Sequence, residues 1–175
     1  MTAHENDILP LEEIKKIILK KKRIIKADNK DLPSFGYSKD FGIPHLEADG
    51  GYHFVVVEKG KELKRLSTKD LDEFLYWVFR YISLKMAIRY ELENREANLD
   101  SRRKRFAEQR RILTLLNLDW EGKIQEEQNQ ILKENPYDDF SNLRVDFFVE
   151  LNKNLSDELA WAKACDKFPL PKSTE

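Results

Sequence analysis

One cysteine, Cys165, stands among 175 residues, so no internal disulfide can form and a reducing compartment is the simplest setting. Histidine is nearly as scarce, with only His4, His45 and His53 available for imidazole chemistry. No G-x-x-x-x-G-K, G-x-G-x-x-G or G-x-S-x-G pattern occurs, which removes the simplest nucleotide-binding and hydrolase readings. No apolar run approaches the roughly 18 residues of a membrane span, and the opening MTAHENDILP lacks the basic-then-apolar order of a secretion signal. The expected location is therefore the cytoplasm, with no membrane partner. Excess charge of either sign is also missing. A net charge of −1 favours neither a nucleic-acid binder nor a uniformly acidic inhibitor.

What is present is organised around residues 50–95. Tyr52, Phe54, Val55, Val56 and Val57 make a β-branched and aromatic run interrupted only by His53, a composition suited to a covered pleated strand. Gly60 supplies the positive φ that a short hairpin or its bulge requires. The return run Glu62 to Ser67 is rich in charge and reads as an edge strand whose Lys and Arg side chains discourage pairing with other chains. Ser67 or Thr68 can cap the helix that follows, and Asp70 with Glu73 adds a D-x-x-E box. From Lys69 to about Glu93 the apolar positions cover more than half the helix circumference, as expected of a central helix about 37 Å long.

The remainder is mostly helical. Leu11 to Lys26 sets Leu11, Ile14, Ile17, Ile18, Ile24 and Ile25 against a lysine-rich side, with Pro10 suited to its first turn. Residues 27–51 form loop with short strands, Ile43 to Ala48 being the best candidate, and Asp49-Gly50-Gly51 is a turn signal. A third helix is expected from the Asp100/Ser101 cap to Leu116, a fourth from an Asp119 cap to the residues before Pro136, and a fifth from about Ser141 to Lys167. The tail from Phe168, with two prolines, is expected to leave the domain. The class is thus α+β: a small antiparallel sheet of three or four strands over residues 35–67, packed against a long central helix and a helical C-terminal half, with an N-terminal helix. One domain is expected over 1–175, ordered over about 8–168 with short flexible termini. Charge is segregated: residues 11–26 and 102–111 are strongly basic and residues 119–139 acidic, which predicts separate faces of opposite sign.

The run GIPHLEADGGYHFVVVEKGKELKRLSTKDLDEFLYWVF carries a likeness to a known family. Gly42 with Pro44, Gly51 with Tyr52 and His53, Glu58 with Gly60, and the helix entry from Thr68 to Trp77 resemble the signature region of the immunity protein 63 family. That family protects bacteria against toxins of polymorphic and contact-dependent inhibition systems. The likeness extends through NPYDD at 135–139, so it covers about residues 35–140, with Lys59 standing where arginine is typical. The resemblance implies a small cytoplasmic inhibitor without catalysis, cofactor or metal, whose partner is the C-terminal domain of a cognate toxin. Either a monomer or a homodimer is compatible with that expectation.

If that toxin is a basic nuclease, the acidic positions Glu126, Glu127, Glu134, Asp138 and Asp139 are the candidate contacts, imitating phosphate charge. Otherwise the sheet face and the loop from Tyr37 to His45 serve equally well. Two other classes compete. His45 and His53 with Glu47 or Glu58 could form a two-histidine, one-carboxylate metal site or an acid/base pair, although their spacing is not diagnostic. Lys15 to Lys26 and Arg102 to Arg111 could bind nucleic acid, but Phe106 alone offers no stacking platform. The inhibitor reading expects no direct nucleic-acid contact.

Overall fold

The computed structural model describes residues 8–172, so His4 lies outside the described residues. Two compact units are distinguished. The first runs to Met86 and includes Arg111–Glu121; the second comprises Ala87–Arg110 and the chain from Gly122 onward.

In the first unit, helix α1 (Leu11–Ile25) buries Ile14, Ile18 and Ile25 on one stripe, as its spacing requires. The carbonyl of Pro10 accepts the Glu13 and Ile14 amides at its start, and Lys26, left-handed at φ 55°, ends it. A short 3-10 turn (Asn29–Asp31) follows, closed by the Asp31 carboxylate accepting the Asp28 amide at 3.0 Å.

Four strands form one sheet in the order β1 (Ser34–Phe35), β2 (Pro44–Ala48), β3 (Tyr52–Glu58), β4 (Lys61–Thr68). The β2–β3 and β3–β4 pairs are antiparallel as expected, but β1 pairs with β2 in parallel, so the sheet is mixed. A parallel neighbour normally needs a long crossover. Here β1 is only two residues long, and residues 36–43 suffice to carry the chain back. Register alternates two faces. Tyr52 stacks on Phe74 with ring centroids 5.2 Å apart, and Phe54 meets Tyr81 edge-on at 6.2 Å. This face of the sheet therefore packs on helix α2 (Leu71–Glu93).

Helix α2 begins two residues later than its sequence suggests. Asp70, not Ser67 or Thr68, receives the Asp72 and Glu73 amides at 2.8 and 3.3 Å, while Thr68 accepts the Asp70 amide. The reason is that β4 keeps its pairing with β3 as far as Thr68. Phe74, Leu75, Val78, Phe79 and Ile82 then form the buried stripe. Trp120 completes this core. Its ring stacks on Phe79 at 5.7 Å, Lys21 lies over it at 5.2 Å, and its indole N–H donates to the Asp72 carboxylate at 3.1 Å.

The second unit draws on helices α3 (Ser101–Thr114), α4 (Leu118–Glu134), α5 (Ser141–Leu151) and α6 (Asp157–Lys167). Asn117, not Asp119, caps α4 by accepting the Asp119 amide at 2.8 Å, which starts that helix two residues early. The single helix expected from Ser141 to Lys167 is two, because Asn152-Lys153-Asn154 favours turn over helix and Ser156 caps a new start by accepting the Leu159 amide. The two helices pack together, with Phe148 edge-on to Trp161. The chain after Lys167 does not leave this unit. Phe168 packs against Phe140 and Phe147, and the Phe168 and Pro169 carbonyls accept from Arg144 at 2.7 and 2.8 Å.

Candidate functional site

Both strand histidines make hydrogen bonds within the sheet and its turns. On the face opposite to Tyr52 and Phe54, His45 Nε2–H donates to Glu47 at 2.9 Å, and Glu47 accepts from Arg65 at 2.7 Å. Arg65 also forks onto Glu62 at 3.0 and 2.8 Å. The Arg65 guanidinium holds the Glu47 and Glu62 carboxyls below the usual carboxylate range, and both carboxylates raise Arg65 in turn. His45 is buried, and its Nδ1 has no hydrogen-bond partner.

His53 Nε2–H donates to the Asp49 carbonyl at 3.0 Å, which leaves Nδ1 to accept from the Ser67 hydroxyl at 2.8 Å. In register His53 faces Glu47, whereas Glu58 lies at the far end of β3 opposite Lys61. The four residues therefore do not converge. Among the described residues, no group of three or more His, Cys, Asp or Glu side chains could hold a metal ion.

At the hairpin end of the sheet the backbone is unusual. Asp40, Phe41 and Gly42 are left-handed in succession, at φ 60°, 57° and 69°. The loop is pinned on several sides: the Gly42 amide donates to the Val57 carbonyl at 2.9 Å, Ile43 to the Asp40 carbonyl at 3.1 Å, and Asp40 to the Ser38 hydroxyl at 3.0 Å. Phe41 is 85% exposed. On the other flank of Val57, the register slips between Val57↔Glu62 and Val56↔Lys64, so Leu63 is the extra residue of a β-bulge, 61% exposed. Tyr37, elsewhere in the same loop, is exposed as well, and its carbonyl accepts from Ser34.

In the second unit the acidic and basic stretches meet. Asp100 receives the Arg102 guanidinium at 2.6 to 3.2 Å and the amides of Arg102 and Asp138 at 2.9 Å. Burial would raise its carboxyl, but those donors outweigh burial and hold it at about 2. Arg103 clasps Asp139 through two bonds of 2.8 Å and lies 4.2 Å over the Tyr137 ring; Arg102 also reaches the Asn135 and Pro136 carbonyls. Buried Arg144 forks onto Asp138 at 2.8 and 2.9 Å. Beside this cluster is a cleft of about 320 Å³ lined by Arg95, Asp100, Arg102 and Ser141 among others.

The expected separation of basic and acidic faces thus fails at this point, because the start of α3 and the NPYDD segment neutralise one another. Of the acidic candidates, Asp138 and Asp139 are held by arginines, Glu134 accepts from Gln130, and Glu126 stands exposed on α4. Composition and spacing assign Phe41 and Leu63 no individual role. The signal that points to Phe41 is its place directly before Gly42, whose own positive φ extends the left-handed turn.

Residues 48–130 match the family model of immunity protein 63, a span that takes in β3, β4, α2, α3 and most of α4. No curated protein and no solved structure matches the chain.

Proposed function

Starting from the match to immunity protein 63 over residues 48–130, we propose that this chain neutralises a cognate bacterial toxin domain. It does so by binding the toxin and covering its active site or another required surface, with no chemistry of its own. The family match is the observation that carries this reading. The hydrogen bonds from His45 Nε2 to Glu47 and between His53 and Ser67 agree with it, since each imidazole is tied to its own sheet. The salt-bridged Arg102 and Arg103 give little support to a nucleic-acid reading of α3.

An inhibitor of this kind needs a footprint of about 800 Å². Of the two surfaces that the sequence offers, the loop from Tyr37 to His45 with the adjoining hairpin is the better supported. The acidic set Glu126, Glu127, Glu134, Asp138 and Asp139 has much of its charge already engaged within the chain. We place the encounter in the cytoplasm. No helix among the described residues is long and apolar enough to cross a membrane.

The test is co-expression with the C-terminal domain of the protein encoded immediately upstream, the expected place of the cognate toxin. Cells carrying this chain survive, and the two proteins co-purify. Continued killing at equal expression, with no complex formed, overturns the proposal.

A further inference from the structure

A phenylalanine in the left-handed region is a steric outlier, because its Cβ crowds the following carbonyl; glycine, asparagine and aspartate are the residues that visit it without difficulty. Phe41 is in that region and gains no packing in return, being 85% exposed. The loop nevertheless fixes it firmly. Gly42 is bonded to Val57, Ile43 to Asp40, and the Asp40 carboxylate accepts the Gly60 amide at 3.5 Å. Nothing in the folding of the chain requires an aromatic ring at this position. A strained residue held in place by its surroundings points to function.

The surroundings define what would receive the ring. Leu63, pushed out by the β4 bulge, flanks β3 on the side opposite Gly42, so the backbones that carry the two exposed apolar side chains run roughly 10 Å apart, two strand spacings. Around them Lys39, Lys59, Lys61 and Lys64 are exposed. Three carboxylates are nearby: Glu62 is tied to Arg65, Asp40 to Gly60, and Glu58 pairs in register with Lys61. The patch is therefore apolar at its centre and basic at its rim.

We propose that Phe41 is the anchor by which this chain grips its toxin, inserting into an apolar pocket of that protein rimmed by carboxylates, with Leu63 as a second apolar contact. This rests on the inhibitor reading above. Loop strain held in the free protein means the ring is preorganised, so little ordering is lost on binding.

The experiment measures binding of the upstream-encoded toxin domain, in inactivated form, to four forms of the full chain, with thermal melts of each. Wild type binds. Phe41→Ala weakens binding by about 30-fold or more. Phe41→Gly does the same while raising the thermal midpoint by about 2 °C, since glycine relieves the strained φ. The pair Lys59→Glu and Lys61→Glu together slows association by about tenfold at low salt.

If wild type does not bind, the inhibitor reading itself falls and this inference with it. If wild type binds and Phe41→Ala binds within threefold of it, the anchor is refuted and the inhibitor reading stands. A lower melting point for Phe41→Gly also refutes it, because Phe41 would then be a packing residue.

Discussion

The two units of this chain are held together by different forces. The first is an apolar assembly in which aromatic rings from β3, α2 and the start of α4 stack on one another, with Trp120 1% exposed at the centre. The second depends heavily on charge: Asp100, Asp138 and Asp139 each bind an arginine and, through it or directly, a backbone group of a distant segment. Apolar burial is indifferent to pH, whereas a carboxylate cluster loosens when protonated. The contrast teaches that a segment read as a highly charged surface can serve as the internal fastening of a fold.

The largest expected effect tests the apolar side. Trp120→Ala removes the stack on Phe79 and empties the centre of the apolar core, and should cost about 3–5 kcal/mol in urea unfolding. A loss under 1 kcal/mol would remove Trp120 from the centre of that core. On the charged side, Arg144→Ala leaves Asp138 and the Phe168 and Pro169 carbonyls without their donor. It should cost about 3 kcal/mol and expose the C-terminal segment to proteolysis. Trimming no faster than in wild type would contradict the clamp.

Next comes the pH dependence. Asp100 is held at about 2 in the fold against an ordinary value near 3.9, so its contribution of about 2 kcal/mol is complete above pH ~5 and is lost as pH falls through 2. Asp100→Asn should therefore be less stable than wild type at pH 7, and the gap should close as pH falls to about 2 and below. Parallel curves across that range would sink the assignment. The smallest effect is expected from Glu126→Gln with Glu134→Gln, which should alter toxin binding by less than about threefold, as exposed charges at a rim do. A tenfold loss would return the acidic helix to first place.

Local rules made much of the first unit legible. The β-branched run 52–57, Gly60 and the broad stripe after Asp70 each act over a few residues, and the hairpin and α2 lie where they indicate. Even the error at the helix start is local: Thr68 and Asp70 are both competent caps, and sheet pairing decides between them. Other features depend on partners far along the chain. The two-residue strand β1 exists only because β2 lies beside it. Arg103 and Asp139 are 36 positions apart, and counting their charges does not reveal that they meet. The α5–α6 break was visible in Asn152, Asn154 and Ser156, yet the apolar spacing on either side masked it. Composition does not distinguish Phe41 from its neighbours Phe35 and Tyr37; its backbone conformation does.

The placement of the indoles gives each unit its own optical reporter. Trp120 sits dry against Phe79, while Trp161 on α6 is 42% exposed and edge-on to Phe148. With Trp77 and Trp161 replaced by phenylalanine, fluorescence should begin blue-shifted and move to the red only when the apolar core opens. With Trp161 as the sole indole, emission should start redder and follow the arginine-fastened helices. Two single-tryptophan proteins would thus tell whether acid releases one half of the molecule before the other.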